Sequence, residues 1–233
     1  MIDQSLMSDM LSPFWVSIKL ASVTTLCLLL FATPMAYWLA KPSRKKVVGR
    51  FKILLMGIIA MPLVLPPTVI GFYLLLLLSP NMGIGKWLIE HNISPLIFTF
   101  EGLVIGSIIY SLPFYIQPVY AQFLRIPQSV TEVAHLLEPS RLRRFIKISL
   151  PQARVGIILG GLISFAHTIG EFGVVLMIGG SISGETKVVS IAIYEQVEAL
   201  NYEAAHMMSG ILIIMGVVMV ALIASVSRMS RRP

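Results

Sequence analysis

Five long apolar stretches alternate with polar segments along this chain. Each contains the roughly 20 mainly apolar residues that a helix needs to cross a bilayer core of about 30 Å. The stretches cover residues 14–40, 53–78, 100–120, 155–178 and 205–225. The pattern therefore predicts an all-α integral membrane protein with five transmembrane helices.

The connection between the third and fourth stretches, about residues 121–154, is too long for a plain turn between helices. Its first half predicts a short amphipathic helix that begins at a capping box of Ser129 and Glu132. An apolar stripe at i, i+3, i+4 and i+7 follows, formed by Val130, Val133, Ala134 and Leu137. A second short helix is predicted between Ser140 and Pro151. A basic amphipathic helix can lie against anionic headgroups or in a groove on a partner protein, and the pattern leaves both open.

Composition supports a membrane protein, because 56% of the 233 residues are hydrophobic and only 12% are charged. Soluble globular domains carry about twice that share of charge, and disordered chains are far less apolar. The net charge is +7, and 15 of the 18 basic residues follow the first or third stretch or lie in the C-terminal tail. Basic segments favour the cytoplasmic side of a membrane. With five spans, this predicts the N-terminus outside and the C-terminus in the cytoplasm, and it explains the charge without nucleic acid.

Three prolines interrupt the second stretch: Pro62, Pro66 and Pro67. Each removes a backbone donor and disturbs the helix around it. Carbonyl groups freed in this way must face protein or a water-filled cavity at membrane depth. The interruption, with Thr68 directly after it, is therefore either a kink that shapes packing or part of a transport pathway.

The fourth stretch carries Thr168 and an acid, Glu171, within an apolar setting. An ionisable group in a span is costly, and it usually faces a cavity or a partner. Glu171 either braces the bundle or borders the path of a substrate. A fixed carboxylate repels an anion, which argues against a direct ligand role for an anionic substrate. Glycines at 156 and 160 predict the close approach of a neighbouring helix, and the segment 183–201 predicts a short helix outside the spans.

No catalytic, cofactor or metal site is expected in this chain. Neither G-x-x-x-x-G-K-[ST] nor G-x-S-x-G occurs in the sequence. The four histidines lack the spacing of metal ligands, and Cys27 is the only cysteine.

The segment 129–151 resembles the EAA loop of ABC importer permeases. That pattern is E-A-A, three residues, G, nine residues and I-x-L-P. The matching positions are Glu132, Ala134, Ile148, Leu150 and Pro151, with Val133 in place of alanine and Glu138 in place of glycine. Because Pro139 follows, Glu138 is expected to be extended, and the bend between the two short helices must be kept by other means.

Three further segments resemble molybdate transporter permeases, whose close relatives carry tungstate or sulfate. They are P-L-V-L-P-P at 62–67, I-G-E-F-G at 169–173 and G-E-T-K at 184–187. Together with the EAA loop they follow the order of that family over residues 12–225.

The resemblance implies the type I ABC importer permease fold. It also implies a homodimer that works with two ABC ATPase subunits and an external oxyanion-binding protein in a bacterial inner membrane. ATP and Mg would be held by the ATPase, so this chain would carry no cofactor. The coupling residues implied are Glu132, Val133, Ala134, Leu137, Glu138, Ile148, Leu150 and Pro151. A translocation path is predicted at Pro66, Pro67, Thr68, Thr168 and Glu171.

Three alternatives remain at this point. The cargo could be tungstate, sulfate or thiosulfate instead of molybdate. A proton-coupled secondary transporter would use Glu171 as a relay, although such a carrier has no need of a docking loop of about 30 residues. A membrane assembly factor would transport nothing.

Overall fold

The computed structural model describes residues 4–43, 45–138 and 140–229, without the side chains of residues 4–10, 135, 137 and 229. Within these ranges the regular structure is helical and no strand occurs. The helices are α1 (Gln4–Ala40), α2 (Lys46–Ala60), α3 (Pro67–Leu78), α4 (Gly83–Glu90), α5 (Phe100–Leu124), α6 (Gln128–Leu137), α7 (Arg141–Arg144), α8 (Leu150–Gln152), α9 (Arg154–Gly170), α10 (Gly173–Gly179), α11 (Val189–Glu198) and α12 (Tyr202–Met229). A 3₁₀ turn covers Met61–Leu63, and a π turn covers Phe145–Ser149.

Four helical segments are long and apolar enough to cross a membrane. They are Leu11–Ala40, Pro67–Glu90, Phe100–Leu124 and Tyr202–Arg228. A fifth candidate is the pair Arg141–Gln152 and Arg154–Gly170, which is bent by 74° at its break. The described part of the chain thus holds four or five candidate spans, where the sequence pattern predicts five.

The second predicted span, 53–78, is not one helix. A 3₁₀ turn and an extended residue, Pro66 (φ −56°, ψ 139°), separate α2 from α3. Proline donates no backbone hydrogen bond, so the prolines of this segment end one helix and open the next. The apolar candidate consequently runs over Pro67–Glu90, and α2 is a separate helix.

The fourth predicted span, 155–178, is also divided. Helix α9 ends at Gly170 and α10 begins at Gly173, with an extended Glu171 between them (φ −71°, ψ 140°). Glycine is a weak helix former, and one stands on each side of the break. The acid that the sequence pattern places inside a span therefore lies at a helix end.

The centre of the bundle is formed by α1, α5 and α9, which pack against one another. Small residues permit this approach. A Cβ atom at Gly156 would lie 2.7 Å from the carbonyl oxygen of Pro118, and one at Gly160 would lie 2.8 Å from the carbonyl oxygen of Tyr115. The close helix approach predicted from these glycines is confirmed.

The remaining helices surround this centre. Helix α10 packs against α3 and α5, and Ile178 fills the space that Gly106 leaves open on α5. Helix α11 contacts α1, α9 and α12, and it is the short helix predicted within 183–201. Most of α12 is exposed in the single chain.

The two short helices predicted after the third span are present, but the predicted capping box is wrong. Pro127, not Ser129, precedes the first turn of α6, and no side chain caps it. Gln128 Nε2 instead donates a hydrogen bond to Glu132 Oε1 at 2.8 Å. The second helix consists of α7, the π turn and α8, which together form the arm, Arg141–Gln152.

Lys52 ties the end of α1 to α2. Its side chain is buried, and Nζ donates hydrogen bonds to the carbonyl oxygens of Trp38 (2.5 Å) and Lys41 (2.6 Å). Carbonyl groups at the end of a helix lack partners within the helix and favour a positive charge. Lys52 therefore supplies both the hydrogen-bond donors and the positive charge that stabilise the end of α1.

We predict that Lys52→Met lowers the free energy of unfolding by about 1–3 kcal/mol, because two carbonyl groups lose a buried donor. Thermal unfolding of the purified chain in detergent measures the effect. Lys46→Met removes an exposed charge from the same helix and should leave Tm nearly unchanged. An unchanged Tm for Lys52→Met would contradict this account of α1.

Candidate functional site

The break between α9 and α10 buries the acid that the sequence singles out. Glu171 is only 5% exposed, although it stands outside both helices. Its N–H donates to the carbonyl oxygen of Thr168 at 3.4 Å, and its own carbonyl oxygen accepts a hydrogen bond from Ser190 Oγ. The backbone of the break is thus held by α9 on one side and α11 on the other.

The Glu171 carboxylate has polar neighbours but no hydrogen bond of normal geometry. Neither of its oxygens has a partner in the described part of the chain. The hydroxyl of Ser107 and the N–H groups of Val174 and Val175 are nevertheless close enough to act on its charge. An acid near the first turn of a helix is favoured by the partial positive charge there. The carboxylate therefore faces the start of α10 and the middle of α5.

The two interrupted spans meet at their breaks. A Cβ atom at Gly173 would lie 2.6 Å from Pro67 Cβ and 3.4 Å from the backbone nitrogen of Thr68. The structure therefore brings the P-P-T segment and the E-F-G segment together, as expected if both border one path. Pro66 and Thr68 are exposed in the single chain.

Thr168 is buried in a hydrogen-bond network between α5 and α9. Its Oγ1 donates to the carbonyl oxygen of Ser164 (2.9 Å) and lies 3.0 Å from Ser111 Oγ. The same Ser111 oxygen lies 3.0 Å from Nδ1 of His167, whose ring stacks on Phe114. Thr168 therefore connects α9 to α5 and is not exposed.

Ser107 and Ser111 are the residues of this site that the sequence interpretation missed. They stand four positions apart, so they share one face of α5, and both are fully buried. The sequence signal that could have identified them is a pair of small polar residues four positions apart in an apolar helix.

The G-E-T-K segment forms a compact turn next to α10. Thr186 Oγ1 donates to the carbonyl oxygen of Gly179 at 2.7 Å and accepts from the Ile182 N–H at 3.0 Å. Lys187 pairs with Glu195 of α11. The segment therefore fixes the end of α10 relative to α11.

The apolar stripe of α6 faces a shallow groove of about 340 Å³. Val133 is 52% exposed and Ala134 is 6% exposed, and both line this groove together with Ile148 of the π turn. Glu132 is exposed beside it. The structure thus brings Val133 and Ala134, near the start of the EAA pattern, next to Ile148 of its I-x-L-P part. The side chain of Leu137 lies outside the described residues.

Glu138 replaces the glycine of the pattern and is extended, as predicted (φ −138°, ψ 100°). Its carbonyl oxygen accepts a hydrogen bond from Arg144 Nη1 at 2.7 Å. Its carboxylate accepts one from the N–H of Ser140 at 3.4 Å and lies 4.0 Å from Arg143. The bend between α6 and α7 is therefore kept by a residue that binds the next helix, without a glycine.

Leu150 and Pro151, the end of the EAA pattern, lie in α8 and face α1 and α9 across a second groove. Ser149 Oγ donates to the Tyr37 hydroxyl of α1 at 3.3 Å. The arm is thus attached to α1 at the last residue of the π turn. Among the described residues, no group of three or more His, Cys, Asp or Glu side chains could hold a metal ion.

Sequence relatives are transport permeases. The Molybdenum transport system permease protein ModB of Azotobacter vinelandii is 44% identical over 194 residues, which is 83% of this chain and 84% of that protein. ModB of Haemophilus influenzae is 31% identical over 188 residues, or 80% and 81% of the two chains. The Sulfate transport system permease protein CysW of Escherichia coli is 33% identical over 178 residues, which is 76% of this chain and 59% of that protein.

Solved structures with the same fold are ABC transporters. The inward facing MetNI methionine ABC transporter matches with a TM-score of 0.73 at 13% identity, over 99% of this chain and 100% of that one. A bacterial alginate ABC transporter in complex with an alginate-bound periplasmic protein matches with a TM-score of 0.68 at 18% identity, over 95% and 78%. The type I ABC importer permease fold is thereby confirmed.

The family described as "Binding-protein-dependent transport system inner membrane component" matches residues 32–232, which is most of the chain. Its members are membrane permeases and are not themselves enzymes. Family match, relatives and fold agree, and the chain therefore belongs to the inner membrane components of binding-protein-dependent transport systems.

Proposed function

We propose that this chain is the membrane-spanning permease of an ATP-driven oxyanion importer and that its cargo is molybdate. The observation that carries the proposal is the 44% identity, over 83% of the chain, to a molybdenum transport permease. A sulfate permease is 33% identical over a shorter stretch, so sulfate is the second candidate. Tungstate belongs to the same chemical class as both anions.

The partners follow from the family. Its description names dependence on a binding protein, and a structural neighbour was solved with a periplasmic protein bound. We propose a homodimer with two ABC ATPase subunits, which hold ATP and Mg, and an oxyanion-binding protein outside a bacterial inner membrane. The positions of the basic loops support an orientation with the N-terminus outside and the C-terminus in the cytoplasm.

Coupling to the ATPase is assigned to α6 and its groove. On the apolar stripe Val133 is exposed, and the adjacent Glu132 is exposed as well. An exposed apolar side chain beside an exposed acid suits a helix that lies in a cleft on a partner protein. When the ATPase pair closes on ATP, α6 and the arm would be carried with it. Because Ser149 attaches the arm to α1 and α8 leads into α9, that movement would reach the centre of the bundle.

The translocation path is assigned to the meeting point of the two breaks. Pro66 is extended, and Pro67 and Thr68 form the first turn of α3. Backbone groups without helical partners at such a helix start must face protein or water at membrane depth. Glu171 is buried behind Gly173 and faces the start of α10, so it braces this wall and does not bind the anion. Thr168 holds the same wall to α5. Weak contacts suit a path that must release its cargo.

We expect proteoliposomes with this permease, its ATPase and its binding protein to take up labelled molybdate only when ATP is supplied inside. Competition with unlabelled anions identifies the cargo. Molybdate should displace the label at least about tenfold better than sulfate. Preferential displacement by sulfate or tungstate would reassign the cargo, and uptake driven by a proton gradient alone would contradict the importer.

Glu132→Lys reverses a charge on α6 and should reduce transport and recovery of the ATPase with the purified permease by about tenfold, because a charge pair at the docking surface is lost. The amount of permease in the membrane should not change. Glu90→Lys makes the same reversal on the exposed α4 and should leave ATPase recovery unaltered. Normal ATP hydrolysis stimulated by Glu132→Lys would contradict the coupling role.

Thr68→Cys, in a chain whose native Cys27 is replaced by serine, tests the path. We expect a membrane-impermeant maleimide to label it at a rate that changes at least about threefold between the nucleotide-free and ATP-bound complexes. Val220→Cys on the exposed surface of α12 should label slowly in both states, since lipid excludes a charged reagent. A Thr68→Cys variant that never reacts would remove this segment from the path.

A further inference from the structure

A second groove, of about 490 Å³, lies where the arm meets α1 and α9. The arm makes a 74° angle with α9, so the two form a corner that α1 closes on the third side. Leu29 and Leu30 of α1 and Ile157 and Ile158 of α9 form its walls. Its volume falls in the range of ordinary ligand sites, which are concave and mostly apolar.

The groove opens on an apolar surface that is exposed in the single chain. Leu30 is 64% exposed and Ile158 is 49% exposed, and both belong to candidate membrane spans. The arm beside them exposes apolar Leu142 and also basic Arg141 and Lys147. A helix with this mixture lies in the membrane interface, with its apolar side towards the acyl chains. An arm that lies in this way puts the groove at the depth where headgroups meet hydrocarbon.

A positive charge without a partner stands in the lining of this groove. Arg154 is exposed, and no acid pairs with it in the part of the chain that the structure describes. It is the first residue of α9, and Ala153 before it provides no side-chain cap. The start of a helix carries partial positive charge and binds phosphate groups readily. Among the described residues that line the groove, no acidic side chain could attract the cationic part of a zwitterionic headgroup.

We infer that this groove binds one anionic phospholipid, with an acyl chain between α1 and α9 and the phosphate at Arg154. The inference rests on the proposed orientation, which places this end of the bundle in the cytoplasmic leaflet, where anionic lipids attract basic residues. The bound lipid touches both the arm and α1. It therefore joins the segment that receives force from the ATPase to the helix bundle.

Native mass spectrometry of the purified full-length permease tests the site, with phosphatidylglycerol and phosphatidylcholine of the same acyl chains as probes. Wild type should bind phosphatidylglycerol more tightly. Arg154→Gln should weaken that binding about fivefold, the effect expected of one basic residue near a membrane surface. Binding of phosphatidylcholine should weaken less, because its choline cation leaves the headgroup without net charge. Arg50→Gln removes an exposed charge from α2, outside the groove, and should change neither affinity.

Filling the apolar part provides a second test. Ile158→Trp should reduce binding of both lipids, because the larger side chain occupies the space of the acyl chain. Equal affinity of the wild type for the two lipids, or no effect of Arg154→Gln, would overturn the inference.

A photoreactive residue in place of Leu30 identifies the neighbour of the groove in the assembled transporter. Crosslinks to phosphatidylglycerol support the site. Crosslinks to a second permease chain would overturn it and make the groove an interface between copies. These measurements need neither cargo nor transport, so a failure of the lipid site is distinguishable from a failure of the proposed importer, which uptake and ATPase recovery report.

Discussion

The close packing of α9 on α5 is the contact on which the rest of the molecule depends. Two glycines of α9 lie against carbonyl oxygens of α5, where any side chain would collide. At that separation short polar side chains can reach across, and Ser111 meets both Thr168 and His167. Buried polar groups stabilise only when they are paired. The glycines therefore make the hydrogen-bond network between these helices possible, and that network lies in the last turn of α9.

Irregular backbone is concentrated where the two interrupted helices meet. Proline ends one helix and extended Glu171 ends the other, and Gly173 packs directly on Pro67. Breaks in apolar helices leave polar backbone groups that hydrocarbon cannot satisfy. Placing both breaks together confines this cost to one region, which protein covers from the side of α5 and α11. Function in a permease needs such a region, because a path for an anion cannot be lined by regular apolar helices alone.

Periodicity and composition were sufficient to predict the helical class and the two short helices after the third span. They predict five spans, where the described chain holds four or five candidates. They could not place the breaks, because a run of apolar residues looks the same whether Glu171 interrupts it or sits within it. The capping box failed because Pro127 fixes the start of α6 before Ser129 can act. The pairing of Glu138 with Arg144 was also invisible, since it depends on a bend that only the folded chain defines.

The π turn at Phe145–Ser149 joins α7 to α8. It lies between α6, which we assign to ATPase docking, and the helix bundle. A π turn holds one residue more than an α turn, and each residue of an α-helix accounts for about 100° of rotation. The angular setting of α6 relative to α9 therefore depends on a single inserted position. Loss of that position would point the docking face in another direction while leaving every side chain on it intact. The π turn therefore sets the direction in which movement of the docking face is passed to the bundle, in addition to connecting the two.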